Sequence, residues 1–249
     1  MATYAMSDIH GEYKLLEIVL RTLKEDDTLI FLGDAVDRGP DSVRCLTALL
    51  ADSRVIYLKG NHEVFFRKTI GAILNEEQEQ SEWLQAWAKN GGKTTLTQLK
   101  DYSDDEIIEM LYAIDKMPLC AEYTNDAGQV FHLSHAGTTP EYTEEEDLLW
   151  DRDHFEDSWY AAENIYVVHG HTPVCNICDV IDDWVALQYC DGHKIDIDLA
   201  AFYSKRTCLF NLDDFSVTYF EIDCEDDVYW WRGFSPYCTD KVHNPRKDD

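Results

Sequence analysis

Three strand–loop–helix units follow one another from residue 3, and their loops open at Asp8, Asp34 and Asn61, 26 and 27 residues apart. That interval is about the length of one βαβ unit, so the chain opens with parallel strands and helices packed on them. Thr3 to Ser7 reads as a strand, and Leu15, Leu16, Ile18, Val19 and Leu23 recur at helical spacing within 12–24. Thr28 to Leu32 is continuously apolar, as expected of a strand buried on both faces. Pro40 and Asp41 start a helix carrying Val43, Leu46, Leu49 and Leu50, and Val55 to Leu58 reads as the third strand.

The pattern then changes. Residues 64–118 are helical in spacing, with Trp83, Leu84 and Trp87 followed by Ile107, Ile108, Leu111 and Ile114, and Gly91-Gly92 breaks the helices. After Pro118 strands return at Gln129 to Leu133, Asn164 to Val168, Trp184 to Tyr189, Thr207 to Leu212 and Val217 to Ile222. Trp230, Trp231 and Phe234 are expected to pack down before a polar tail. With 249 residues and no linker or repeat, the expectation is one catalytic domain over 1–240 and a tail over 241–249.

Charge excludes some partners. The chain has 49 acidic against 21 basic residues, net −28, so nucleic acid and anionic membrane surfaces are not expected to bind it. At 45% hydrophobic residues it is too apolar for an acidic disordered chain. No apolar run reaches the roughly 18 residues of a membrane helix, and no basic stretch precedes an apolar run at the N-terminus. A cytoplasmic enzyme with free thiols is expected. Cys175 and Cys178 form one C-x-x-C without a second pair, which reads as coincidence rather than a zinc site. No interface pattern is legible, so a monomer is the default.

In an open α/β sheet, ligands bind beyond the carboxyl ends of the strands. Asp8, His10, Asp34, Asp37, Asn61 and His62 fall at three such ends, and His135 and His171 follow two later strands. Carboxylate and amide oxygens mixed with imidazole suit manganese, iron or zinc rather than a thiolate site. One cation is saturated by about six ligands, so this many donors point to two ions sharing a carboxylate, the usual device for in-line displacement at phosphorus.

Five fragments occur in a fixed order: Ser7-Asp8-Ile9-His10-Gly11, Gly33-Asp34-Ala35-Val36-Asp37-Arg38-Gly39, Gly60-Asn61-His62-Glu63, His135-Ala136-Gly137 and Gly170-His171-Thr172-Pro173. Together they resemble the blocks of the calcineurin-like metallophosphoesterases, and within them the PPP-type serine/threonine phosphoprotein phosphatases of the compact bacteriophage lambda and bacterial branch. The resemblance implies a mixed β-sandwich flanked by helices, in four αββα layers. It implies a first metal held by Asp8, His10 and Asp34, with Asp34 bridging to a second held by Asn61, His135 and His171. Two divalent ions are implied, manganese first, with iron and zinc open. A metal-bridging hydroxide would attack phosphorus, and His62, oriented by Asp37, would protonate the leaving oxygen. Arg38, Arg152 and Lys59 would hold the phosphate. His132 and His169 match no ligand position and read as packing or supporting groups.

Three positions depart from those blocks. Ser7 replaces a glycine, a change that should fit. Lys59 stands where arginine is usual, which keeps the charge and loses the guanidinium fork. Ile195-Asp196-Ile197-Asp198 replaces I-D-T-G, leaving the loop near the second metal undetermined. The implied activity is phosphoprotein hydrolysis at phosphoserine and phosphothreonine, with phosphotyrosine open. The alternative is symmetric bis(5'-nucleosyl)-tetraphosphate hydrolysis or another small-molecule phosphoesterase; Asp37, Arg38 and Glu63 follow the protein-phosphatase form. The acidic excess, in runs such as Glu144 to Asp147, suggests a preference for basic phosphopeptides.

Overall fold

A computed structural model describes residues 1–76, 80–137, 144–153, 155, 164–178, 184–223, 228–233 and 236–238. The expected opening is present: β1 (Thr3–Met6), α1 (Tyr13–Thr22), β2 (Thr28–Phe31), α2 (Ser42–Ala51) and β3 (Val55–Tyr57), with β1 parallel to β2 and β2 parallel to β3. The helical middle comprises α3 (Asn61–Leu74), α4 (Gln80–Lys89), α5 (Gly92–Gln98) and α6 (Asp104–Asp115). Beyond it come β4 (Cys120–Thr124), β5 (Val130–Ser134), α7 (Glu145–Trp150), β6 (Ile165–His169), α8 (Val174–Ile177), β7 (Leu187–Tyr189), β8 (Lys194–Asp196), α9 (Ala201–Ser204), β9 (Arg206–Asn211), β10 (Val217–Ile222), β11 (Val228–Gly233) and β12 (Tyr237–Cys238).

The strands form two mixed six-stranded sheets, ordered β11-β10-β9-β1-β2-β3 and β12-β7-β8-β6-β5-β4. Period-two alternation explains why the second strand is apolar throughout. Leu29 and Phe31 join the core beneath α1, α2, α3 and α6, while Ile30 and Leu32 join a second core with Phe131, Leu133, Val168 and Ile195 of the facing sheet. Two sheets flanked by helices is the expected architecture.

Four strands, β4, β8, β11 and β12, were not expected from the pattern. The Ile195-Asp196 segment, expected to be a loop, is instead the end of β8, paired in parallel with β6 and antiparallel with β7. Trp230 also corrects an expectation: its cross-strand partner Phe220 is buried, but Trp230 stands on the edge strand and is 65% exposed. Phe234 and the tail at 241–249 lie outside the described residues, as does the side chain of Trp231. No described helix is long and apolar enough to cross a membrane.

Candidate metal centre and active site

The site forms where the two sheets meet. Asp8, Asp34 and Asn61 follow the carboxyl ends of β1, β2 and β3, and His135 and His171 follow β5 and β6 of the other sheet. Its loops are tight. Asp8, His10, Asp34, Asp37, Arg38 and His171 all adopt positive φ, between 41° and 70°, a region costing non-glycine residues about 1 kcal/mol or more each. The surrounding hydrogen bonds hold them there: His10 N–H donates to the Asp34 carbonyl, Asp8 N–H to the Gly33 carbonyl, and Gly39 N–H to the His10 carbonyl. At Gly60 the backbone lies so close to Asp34 that a Cβ would clash with its carboxylate and amide, so only glycine fits.

Two buried donor clusters share one carboxylate. His10, Asp34 and His62 form the first and Asp34, His135 and His171 the second, each with ligand atoms within 4.8 Å of one another. Asp34 Oδ2 lies 3.6 Å from His10 Nε2 and 3.5 Å from His135 Nε2, the geometry of a bridge. Asn61 Oδ1 is 2.9 Å from His135 Nε2, and His171 Nδ1 is 3.2 Å from the same nitrogen. Asp8 stands slightly apart, its Oδ1 4.0 Å from His10 Nε2 and its Oδ2 accepting the His171 N–H. All six expected ligands therefore converge.

The donor set fits divalent ions. His10 Nδ1 donates to the Val36 carbonyl and His135 Nδ1 to the Leu32 carbonyl, so each Nε2 presents a lone pair inward, as metal-ligating histidines require. Burial holds the His10 and His171 imidazoles well below their usual range and pushes His135 down to about 3, keeping them neutral. Burial, with the neighbouring Asp198, pushes the Asp8 carboxyl well up; burial, with Asp8 and Glu63, does the same to Asp34. Carboxylates crowded in this way call for cations between them.

His62 Nδ1 lies 2.7 Å from Asp37 Oδ2, and its Nε2 points at Asp34 Oδ2 from 3.8 Å. Arg38 donates from Nη1 to His10 Nε2 at 2.5 Å and from Nη2 to His62 Nε2 at 3.0 Å. Arg152, two residues beyond α7, donates from Nε to His171 Nε2 at 3.1 Å. Both guanidiniums reach the donor clusters from one cleft, which His171 also lines. Lys59 does not line that cleft; its backbone N–H donates to the Pro118 carbonyl.

Other residues were given no role by the sequence. Glu63, buried in the first turn of α3, accepts from Asp34 N–H, Ala35 N–H, Gly60 N–H and the Tyr57 hydroxyl, tying the second loop to the third. Its position three residues after Gly60 was the available signal, since a glutamate there caps its own helix. Trp87 and Thr95 fix Asp37 from the helical middle, and their distance in sequence hid them. Asp198 is buried and pushed up to about 6 by that burial, against the pull of Arg38 and Arg152. His169 lies outside both clusters, bonded to the Tyr189 hydroxyl and the Gly170 carbonyl. His132 faces Glu122 across β4–β5 at 3.7 Å. Cys175 and Cys178 are free thiols outside both clusters.

Similarity to known proteins agrees with this geometry. Residues 1–200 match the family model of the calcineurin-like phosphoesterases. Serine/threonine-protein phosphatase 2 of Escherichia coli (strain K12) is 31% identical over 187 residues, 70% of this chain and 81% of that protein. The symmetrical bis(5'-nucleosyl)-tetraphosphatase of Proteus mirabilis (strain HI4320) is 31% identical over 147 residues, 57% of this chain and 46% of that protein. In fold, a protein serine/threonine phosphatase from Saccharomyces cerevisiae superposes with TM-score 0.55 at 14% identity, covering 93% of this chain and 79% of that one. A cold-active protein tyrosine phosphatase superposes with TM-score 0.51 at 18% identity, covering 92% and 78%. With both donor clusters intact, the chain belongs to the calcineurin-like phosphoesterase family, as a metal-dependent phosphatase.

Proposed function

We propose that this phosphatase hydrolyses phosphomonoesters of phosphoprotein, at phosphoserine and phosphothreonine. The observation that carries the reading is the His62–Asp37 pair sealed beside two donor clusters that share Asp34. Asp8, His10 and Asp34 would hold one ion and Asp34, Asn61, His135 and His171 the other, with manganese as the first candidate. When bound, the ions lower the pKa of water and template phosphate oxygens. The chain's own groups do the rest. Arg38 and Arg152 hold the substrate's oxygens with guanidinium donors and fix its orientation. Asp37 accepts from His62 Nδ1, which holds the imidazole with Nε2 toward the donor clusters; with Arg38 drawn onto the substrate's oxygens, a protonated Nε2 is placed to give its proton to the leaving alkoxide.

The phosphoprotein reading is supported by relatives named serine/threonine-protein phosphatases that match across 70% and 69% of this chain. A second reading, cleavage of symmetric dinucleoside tetraphosphates, is favoured by Tyr203, 74% exposed on the cleft rim and free to stack on a base. A cytoplasmic setting goes with the six cysteines that stand as free thiols among the described residues. The test is one rate comparison with Mn²⁺: phosphoserine, phosphothreonine and phosphotyrosine peptides against a dinucleoside tetraphosphate. Peptide turnover at least as fast as dinucleotide turnover is expected. Cleavage of the dinucleotide alone would replace this reading with the second.

A further inference from the structure

The cleft that leads to the donor clusters has a volume of about 540 Å³ and carries, among the described residues that line it, four cations, Arg38, Lys89, Lys93 and Arg152, and no Asp or Glu. In a chain with 49 acidic and 21 basic residues, such a lining runs against the overall charge. It also runs against the preference for basic peptides suggested by composition. The two lysines are placed by the backbone of the phosphate-holding arginine. Lys89 ends α4 and Lys93 lies in the first turn of α5, and the Gly91 carbonyl between them accepts the Arg38 N–H at 3.1 Å. Gly91 makes this turn at φ 100°, and a Cβ there would press on the Arg38 side chain. Both ammoniums are exposed, and among the described residues no carboxylate pairs with either.

A single phosphate at the donor clusters is met by Arg38 and Arg152, and leaves Lys89 and Lys93 with nothing to bind. We propose that Lys89 and Lys93 form a second phosphate subsite, so that the enzyme prefers substrates carrying another phosphoryl group near the one it removes. This rests on the phosphoesterase reading of the Asp34 centre. The second phosphate has two sources, a neighbouring phosphorylated residue of a peptide or the next phosphate of a nucleotide polyphosphate chain. Point charges on flexible stems suit either, since lysine imposes no bidentate geometry.

The test is binding of non-hydrolysable probes to the manganese-loaded enzyme, read by fluorescence anisotropy. A peptide with two phosphonate residues is compared with its one-phosphonate form, and a methylene-bridged dinucleoside tetraphosphate with a nucleoside 5'-phosphonate. Lys89→Ala/Lys93→Ala is expected to weaken the member of one pair with the additional phosphoryl group about tenfold more than the member with a single one, with the excess shrinking as salt rises. Lys24→Ala/Lys100→Ala, which removes the same charge elsewhere, is expected to leave both ratios unchanged. The pair that responds names the source. If neither ratio moves, or both variants move it equally, the subsite is overturned. Failure of the wild type to hydrolyse p-nitrophenyl phosphate with Mn²⁺ would sink the phosphoesterase reading separately, because the binding ratios do not depend on turnover.

Discussion

His62 Nδ1 lies 2.7 Å from Asp37 Oδ2, and both side chains are sealed from solvent. The same Oδ2 accepts the Trp87 indole N–H at 2.7 Å, while Oδ1 accepts the Thr95 hydroxyl at 2.6 Å. Asp37 therefore has no rotational freedom left, and its grip sets the imidazole plane of His62.

Substituting His62 distinguishes an acid from a ligand, because its Nε2 also belongs to the first donor cluster. His62→Asn is expected to lower kcat on a phosphopeptide by about 10²- to 10⁴-fold, with bound metal still near the wild-type content. Atomic absorption on the purified protein gives the metal count, and a parallel loss of one ion would make His62 a ligand instead. Trp87→Phe, which removes one of the donors on Asp37, is expected to cost about fivefold in kcat with KM unchanged.

Sharing of Asp34 predicts a metal stoichiometry. Asp34→Asn takes a ligand from both clusters at once, so it is expected to bring Mn²⁺ below about one ion per chain. His171→Asn touches only the second cluster, and about one ion should stay bound. Equal retention in the two variants would mean that Asp34 does not bridge.

Glu63 is expected to matter for stability as much as for turnover. Glu63→Gln keeps the shape but sets an NH2 donor against some of three backbone N–H groups and a tyrosine hydroxyl. Leaving such buried donors unpaired should cost about 2–4 kcal/mol in chemical denaturation, and Tyr57→Phe about 1 kcal/mol. If Glu63→Gln unfolds at the wild-type denaturant concentration, the tie between the second and third loops carries no weight.

Away from the site, Arg54 clasps the end of α1. Its Nη1 and Nη2 donate to the carbonyls of Leu23 and Leu20, and it holds Asp52 through two further bonds. Arg54→Ala should lower stability at pH 7 by about 2 kcal/mol. The Arg54 hydrogen bonds hold the Asp52 carboxyl below its usual range. The unfolded chain thus binds more protons than the native one around and below pH 4, so this share of stability is full above the unfolded value, roughly 4, and is lost as pH falls through the lower folded value. Asp52→Asn should remove that slope, which denaturation midpoints between pH 7 and 3 would show.

What the sequence disclosed and what it hid follow from range. Asp8, Asp34 and Asn61 were legible because strand periodicity brings each to a strand end within one βαβ unit, and their placement needs only local rules. His135 and His171 were legible as motif fragments, though nothing in their own segments says which donors they face. Trp87 and Thr95 were not legible: their bonds to Asp37 cross 50 and 58 residues, and a buried tryptophan on a helix reads as core. β8 escaped because a three-residue strand carrying Lys194 and Asp196 has no alternation to display. The lining of the cleft escaped as well, since α4, α5 and α9 supply it from separate parts of the chain.

The division of ligands between the sheets has a mechanical consequence. Four expected ligands, Asp8, His10, Asp34 and Asn61, hang from the β1–β2–β3 edge and two, His135 and His171, from β5 and β6, across a core where the sheets meet by apolar contact and a few hydrogen bonds. An ion held by Asp34, His135 and His171 would act as a rivet through that seam. Its affinity would include the work of aligning two sheets, and chelation should loosen docking while each sheet's own ladder stays intact. An enzyme assembled this way reports its own folding, because a molecule whose sheets have not closed cannot complete the second donor cluster, which takes Asp34 from one sheet and His135 and His171 from the other.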